Sequence, residues 1–97
     1  MIKLEMVCNS AQWAALEGLA YWKQEESYER EANGETLDAV RFSENVRESM
    51  KECEKAKIPN WLGNAVLVYA ENWRNYMVSD MLHYLNKRGY SVKIERS

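Results

Sequence analysis

The stretch IPNWLGNAVLVYAENWRNYMVSDMLHYLNKRGYSVKIE, residues 58–95, decides the fold. Pro59 pushes Ile58 out of helical geometry and so ends the preceding helix. Proline suits a first helical position, so a new helix is predicted from Pro59 to Arg88. Residues 65–70, AVLVYA, are apolar all round and call for burial on most sides. Val66, Ala70, Trp73, Met77, Met81 and Tyr84 continue one apolar stripe beside the polar Asn72, Asn75, Ser79, His83 and Asn86. Lys87 and Arg88 complement the dipole of the last turn, and Gly89 provides its C-terminal cap. A straight helix of this length would run about 45 Å. After it, Tyr90, Val92 and Ile94 alternate with Ser91, Lys93 and Glu95, the period of a half-buried strand.

Working back towards the N-terminus, Thr36 caps a second helix with Asp38 in its first turn. Leu37, Val40, Val46, Met50, Cys53 and Ala56 lie near one face of it, with Phe42 flanking, and the rest is charged. Before it, Asn9 or Ser10 caps a first helix that runs from Ala11 to about Ala32 and ends at Asn33 and Gly34. Its first half carries Trp13, Leu16, Leu19, Ala20 and Trp22. Its second half, KQEESYERE, is polar nearly all round, so this helix is expected to leave the core and project. Ile2, Leu4 and Met6 alternate with Lys3 and Glu5 and predict an N-terminal strand.

The fold class is therefore mainly α, in the α+β sense. Three long helices carry short N- and C-terminal strands in the order β-α-α-α-β, within a single domain over residues 1–97. If successive elements alternate direction, the two strands end up parallel. An isolated parallel pair is poor and two strands alone are marginal. The helices must then cross so that the strands pair antiparallel, or each strand must find a partner in another chain; the second is the expectation.

Composition narrows the function classes. With 46% apolar and 29% charged residues the chain has globular composition, and residues 65–70 form its longest uncharged apolar run. That run is far short of the roughly 20 residues of a membrane span. The opening MIKLEMVC does not read as a secretory signal. Thirteen basic and fifteen acidic residues give a net charge of −2, with no general pull towards nucleic acid or anionic lipid. The charge is nonetheless polarised: residues 1–35 sum to −4, 36–58 to zero and 59–97 to +2. Cys8 and Cys53 stand far apart, without the density of a disulfide scaffold, and point to a reducing cytoplasm.

Candidate chemistry is thin. The four glycines are too scattered for a phosphate loop, and one histidine with two distant cysteines builds no familiar zinc site. Glu25, Glu26 and Glu29 could hold a cation only with a pocket, and they read as a solvated face. Ser79, Asp80 and His83 make a poor triad, because a helix turns Asp80 away from the other two. The strand-helix-helix opening invites comparison with ribbon-helix-helix repressors. The comparison fails, because only Lys3 on the ribbon is basic and both helices are too long. No enzyme, cofactor or metal is expected.

Aromatic character stands out: four Trp and six Tyr beside a single Phe. Such rings serve surfaces that are dry at one end and wet at the other. Trp61, Tyr69, Trp73 and Tyr76 crowd one helix that cannot bury them all on one face, and are the expected partner-binding residues. His83, Tyr84, Lys87, Arg88, Tyr90, Lys93 and Arg96 form an aromatic–basic cluster able to contact a nucleotide or nucleic acid. The expected function is a small non-enzymatic binding protein of the adaptor or inhibitor type, self-associating as a dimer or larger and contacting another protein. Phage and mobile-element accessory proteins share its size and composition. The alternative is a nucleotide or nucleic-acid binder using the C-terminal cluster.

Overall fold

A computed structural model describes residues 4–73 and 77–95. Its elements are β1 (Leu4–Cys8), α1 (Ser10–Asn33), α2 (Leu37–Lys55), α3 (Asn60–Trp73), α4 (Val78–Lys87) and β2 (Tyr90–Ile94). The chain is mainly helical with a short strand at each end, as the periodicities indicate.

The caps explain the boundaries. Asn9 accepts from the Gln12 amide at 2.8 Å while the Gln12 side chain accepts from the Asn9 amide at 3.0 Å, a capping box. Thr36 accepts from the Ala39 amide at 3.0 Å. Gly34 closes α1 at φ 76°, donating its amide to Arg30. α2 ends with Lys57 in the left-handed region at φ 63°, and the Ile58 amide donates back to the Cys53 carbonyl at 2.9 Å. That turn folds the buried Ile58 back over α2 before Pro59 opens α3.

The segment expected as one helix from Pro59 to Arg88 is two. Met77 is extended, at φ −74° and ψ 128°, and 55% exposed, so the apolar stripe drawn through it is interrupted. The reason is closure. Trp61 stacks on Tyr90 with ring centroids 5.5 Å apart. A straight helix would hold those two residues about 43 Å apart, and the whole molecule measures only 38 × 26 × 22 Å.

The terminal strands pair with each other, which corrects the expectation that each would seek another chain. They run parallel, Leu4 beside Tyr90 through Cys8 beside Ile94. What makes so short a pair viable is one well-packed face. Cys8 and Val92 are buried, and Met6, Tyr90 and Ile94 pack on the core. The core itself joins Leu16 and Leu19 of α1, Leu62 and Val66 of α3, and Met81 and Leu85 of α4, all fully buried.

Nor does α1 project. Antiparallel α2 lies along its length, from Gln12 Nε2 on the Ala56 carbonyl at 2.9 Å to Thr36 Oγ1 on Glu29 at 3.0 Å. Trp22 packs on Phe42 with ring centroids 5.7 Å apart. Beyond that contact the helices are joined by polar groups around Glu26, which is 5% exposed. Lys23 donates to its carboxylate at 2.8 Å, Ser43 of α2 donates a short hydrogen bond, and Arg30 stands 3.4 Å away. Arg30 also donates to Ser43 at 2.9 Å and to Glu35 at 3.0 Å. A polar half-helix is thus held largely by a hydrogen-bonded ion cluster, with the small Ala39 buried beside it.

Burial alone would raise the pKa of Glu26. The hydrogen bonds from Lys23 and Ser43 and the charges of Lys23 and Arg30 outweigh it and hold the group below 4.5. A lowered folded pKa means that its stabilisation is complete above 4.5 and is lost as pH falls through the folded value. Glu26→Ala should therefore cost about 2 kcal/mol in urea unfolding at pH 7. The stability advantage of the wild-type chain over Glu26→Gln should shrink as the titration is repeated below pH 4.5. An advantage unchanged down to pH 3 would contradict the assignment.

Candidate functional site

The aromatic residues singled out in the sequence come together, but largely with each other. Trp61 of α3 lies nearly parallel to Tyr90 of β2, at 22° between planes. Tyr69 of α3 meets Tyr84 of α4 at 5.3 Å and 49°. The Arg88 guanidinium covers the Tyr84 ring at 5.0 Å. These pairs form the joint that holds α4 and β2 against α3. Tyr69, expected on a partner surface, is only 3% exposed and belongs to the core. Burial, and secondarily the charge of Asp80, pushes its phenol up to about 12. Among the described residues, its hydroxyl and the indole N–H of Trp13 are buried without a hydrogen-bond partner. Trp73 closes α3; Tyr76 and Arg96 lie outside the described residues.

The aromatic–basic cluster separates into unlike parts. Tyr84 and Tyr90 are half-buried in the joint, while His83, Lys87 and Arg88 are exposed on α4 and its cap. Lys93 stands apart, exposed on the outer face of the sheet. A base-stacking platform needs a free ring face beside its cations. Here Tyr90 is stacked on Trp61 and Tyr84 lies under Arg88. Among the described residues the two sets of candidates are thus joined into packing pairs, Trp61 with Tyr90 and Tyr69 with Tyr84, with Arg88 over Tyr84.

Two of the surface concavities among the described residues are the roomiest. One runs between α1 and α2, about 520 Å³ in volume, over the small residues Ala11, Ala14, Ala15 and Gly18 and past Glu52 and Lys55. Its floor has little side chain with which to grip a ligand. The other, about 290 Å³, lies on the sheet and is lined by Glu5, Met6, Val7, Ser91 and Lys93. The strand pleat sends Met6, Cys8, Tyr90, Val92 and Ile94 to the core and Glu5, Val7, Ser91 and Lys93 outward. Val7 is 58% exposed. Sequence reasoning passed over it, although it is an apolar residue in the polar register of β1 and so breaks the alternation.

Among the described residues no group of three or more His, Cys, Asp or Glu side chains is placed to hold a metal ion, and no helix is long and apolar enough to cross a membrane. No family model matches the chain, and comparison with curated proteins and with solved structures gives no match.

Cys8 and Cys53 are both free thiols and both buried. Burial pushes Cys8 up to about 11. Burial, with a smaller push from Glu52, raises Cys53 to about 11 as well. Cys53 spends its proton on the Ala15 carbonyl at 3.6 Å, tying α2 to α1. Neither thiol should be alkylated by iodoacetamide at pH 8 in the folded protein, and both should react in urea, as read by intact mass. Cys53→Ala should cost on the order of 1 kcal/mol. Rapid native alkylation of either thiol would identify a reactive site.

Proposed function

We propose that this chain is a small non-enzymatic binding protein of the adaptor or inhibitor type that acts by protein–protein contact and self-associates. The observation that carries the reading is the uncovered outer face of the β1–β2 sheet. Parallel strands are normally covered on both faces, because their connections lay helices over them. Among the described residues the helices cover one face only, and Val7 faces outward at 58% exposure on the other. A protein surface supplies the missing layer. The internal pairing of Trp61 with Tyr90 and of Tyr69 with Tyr84 supports the same reading, since it occupies ring surface that a base would otherwise stack on.

Sedimentation equilibrium on the full chain at about 10–100 µM should give a dimer or larger species; a strict monomer across that range would remove self-association. Oligonucleotides should show no detectable binding at roughly physiological salt, because nucleic-acid affinity rests on phosphate neutralisation. Submicromolar binding of RNA, DNA or a nucleotide, lost on Lys87→Glu with Arg88→Glu, would establish the alternative function in its place.

A further inference from the structure

Asn33 is the one asparagine in the chain that is followed by glycine. That pair is chemically labile. The amide nitrogen after an asparagine attacks the side-chain carboxamide carbon when the two meet, and a following glycine offers no Cβ to hinder the approach. Beyond its own turn, no atom lies within 4 Å of where a Cβ of Gly34 would stand. The pair closes the tip of the α1–α2 hairpin, with Asn33 as the last residue of α1 and Gly34 as its cap at φ 76°.

The folded chain holds both reacting groups elsewhere. The Gly34 amide donates to the Arg30 carbonyl at 2.9 Å. The Asn33 carboxamide donates to Glu29 Oε1 at 3.1 Å, and the Thr36 hydroxyl donates to the same oxygen at 3.0 Å. Thr36 in turn caps α2 by accepting from the Ala39 amide. Arg30 latches the turn, with its guanidinium on Glu35 of the loop, on Ser43 of α2 and beside Glu26. Reaction therefore requires the last turn of α1 to open, which frees the Gly34 amide and lets the carboxamide swing onto it. Helix ends open locally at far lower cost than the whole fold.

We infer that Asn33–Gly34 is a spontaneous modification site, gated by the last turn of α1, and that its conversion loosens the joint between α1 and α2. In the open turn the Gly34 nitrogen gives its proton to a solvent base and bonds to Asn33 Cγ. The Cγ–Nδ2 bond breaks, and the side-chain nitrogen takes up a proton and leaves as ammonia. The five-membered succinimide then takes up water at either ring carbonyl and opens to aspartate or isoaspartate at position 33. Nothing is oxidised or reduced. Either product loses the donor to Glu29 and sets a second carboxylate beside it, at the helix end where the dipole disfavours negative charge. Glu29 is also the anchor of Thr36, so the disturbance reaches the cap of α2. The inference stands whether or not the chain self-associates.

The test is intact mass and peptide mapping of the full chain held at pH 8 and 37 °C, folded and in urea, with circular dichroism as the check of folding. The folded chain should gain about one dalton at Asn33 slowly, as a mixture of aspartate and isoaspartate, and should do so many-fold faster in urea. Arg30→Ala removes the latch and should react several-fold faster than the wild type. Glu35→Gln, a milder change at an exposed residue, should shift the rate in the same direction. Asn33→Asp should lower the urea midpoint, and that loss should vanish when Glu29→Gln is added, because the repulsion is gone. No conversion of Asn33 in the folded chain over weeks would overturn the site. Equal rates folded and in urea, or wild-type rates in both folded latch variants, would overturn the gate. A loss in Asn33→Asp that persists with Glu29→Gln would overturn the link to α2.

Discussion

The parallel pairing of the first strand with the last is the constraint on which the rest of the structure depends. Leu4–Cys8 and Tyr90–Ile94 are separated by most of the chain, and their register must be met by four helices in between. Four helices that each reversed direction would return β2 antiparallel to β1. At least one junction must therefore turn the chain by less than a full reversal. The extended Met77 supplies a bend within the third helical segment. Trp61 on Tyr90, Tyr69 against Tyr84 and Arg88 over Tyr84 then fix the angle at which α4 and β2 return. In this position Trp and Tyr do what a larger domain would do with aliphatic layers.

The α1–α2 pair is held by a different device at each end. Near the sheet, apolar packing around Leu16, Leu19 and Val46 is joined by the Cys53 and Gln12 bonds to α1 and α2 carbonyls. At the far end the large apolar side chains give way to Glu26 with Lys23, Arg30 and Ser43, beside the buried Ala39. Breaking one partner of a buried ionic group costs more than the group contributes by being present. The polar end is therefore well specified without adding much net stability, and its contribution falls as acid protonates Glu26.

Period and punctuation made much of this legible in the residues. The strand alternations, the caps at Asn9 and Thr36, the stop at Gly34 and the break at Pro59 are local signals, and the structure has each of them. What was not legible depended on partners distant in sequence. KQEESYERE reads as a solvated face until Ser43 is placed against Glu26. The apolar stripe through Met77 reads as continuous until Tyr90 has to reach Trp61. The aromatic residues carried a true signal, that they exceed what one helix face can bury. Their destination was an intramolecular joint for Tyr69, Tyr84 and Tyr90, which periodicity along one helix cannot reveal.

The same economy decides what is left on the surface. A chain of 97 residues has little apolar surface to spare. Its aliphatic residues go to the centre and its polar aromatics to the return of α4 and β2. Among the described residues no helix then lies over the outer face of the parallel pair, whose inner face packs on the core. An exposed valine on a short strand is ordinary by itself. Its setting is less ordinary, because it stands on a parallel sheet, in the polar register, with an acid and a base on the diagonal across from it.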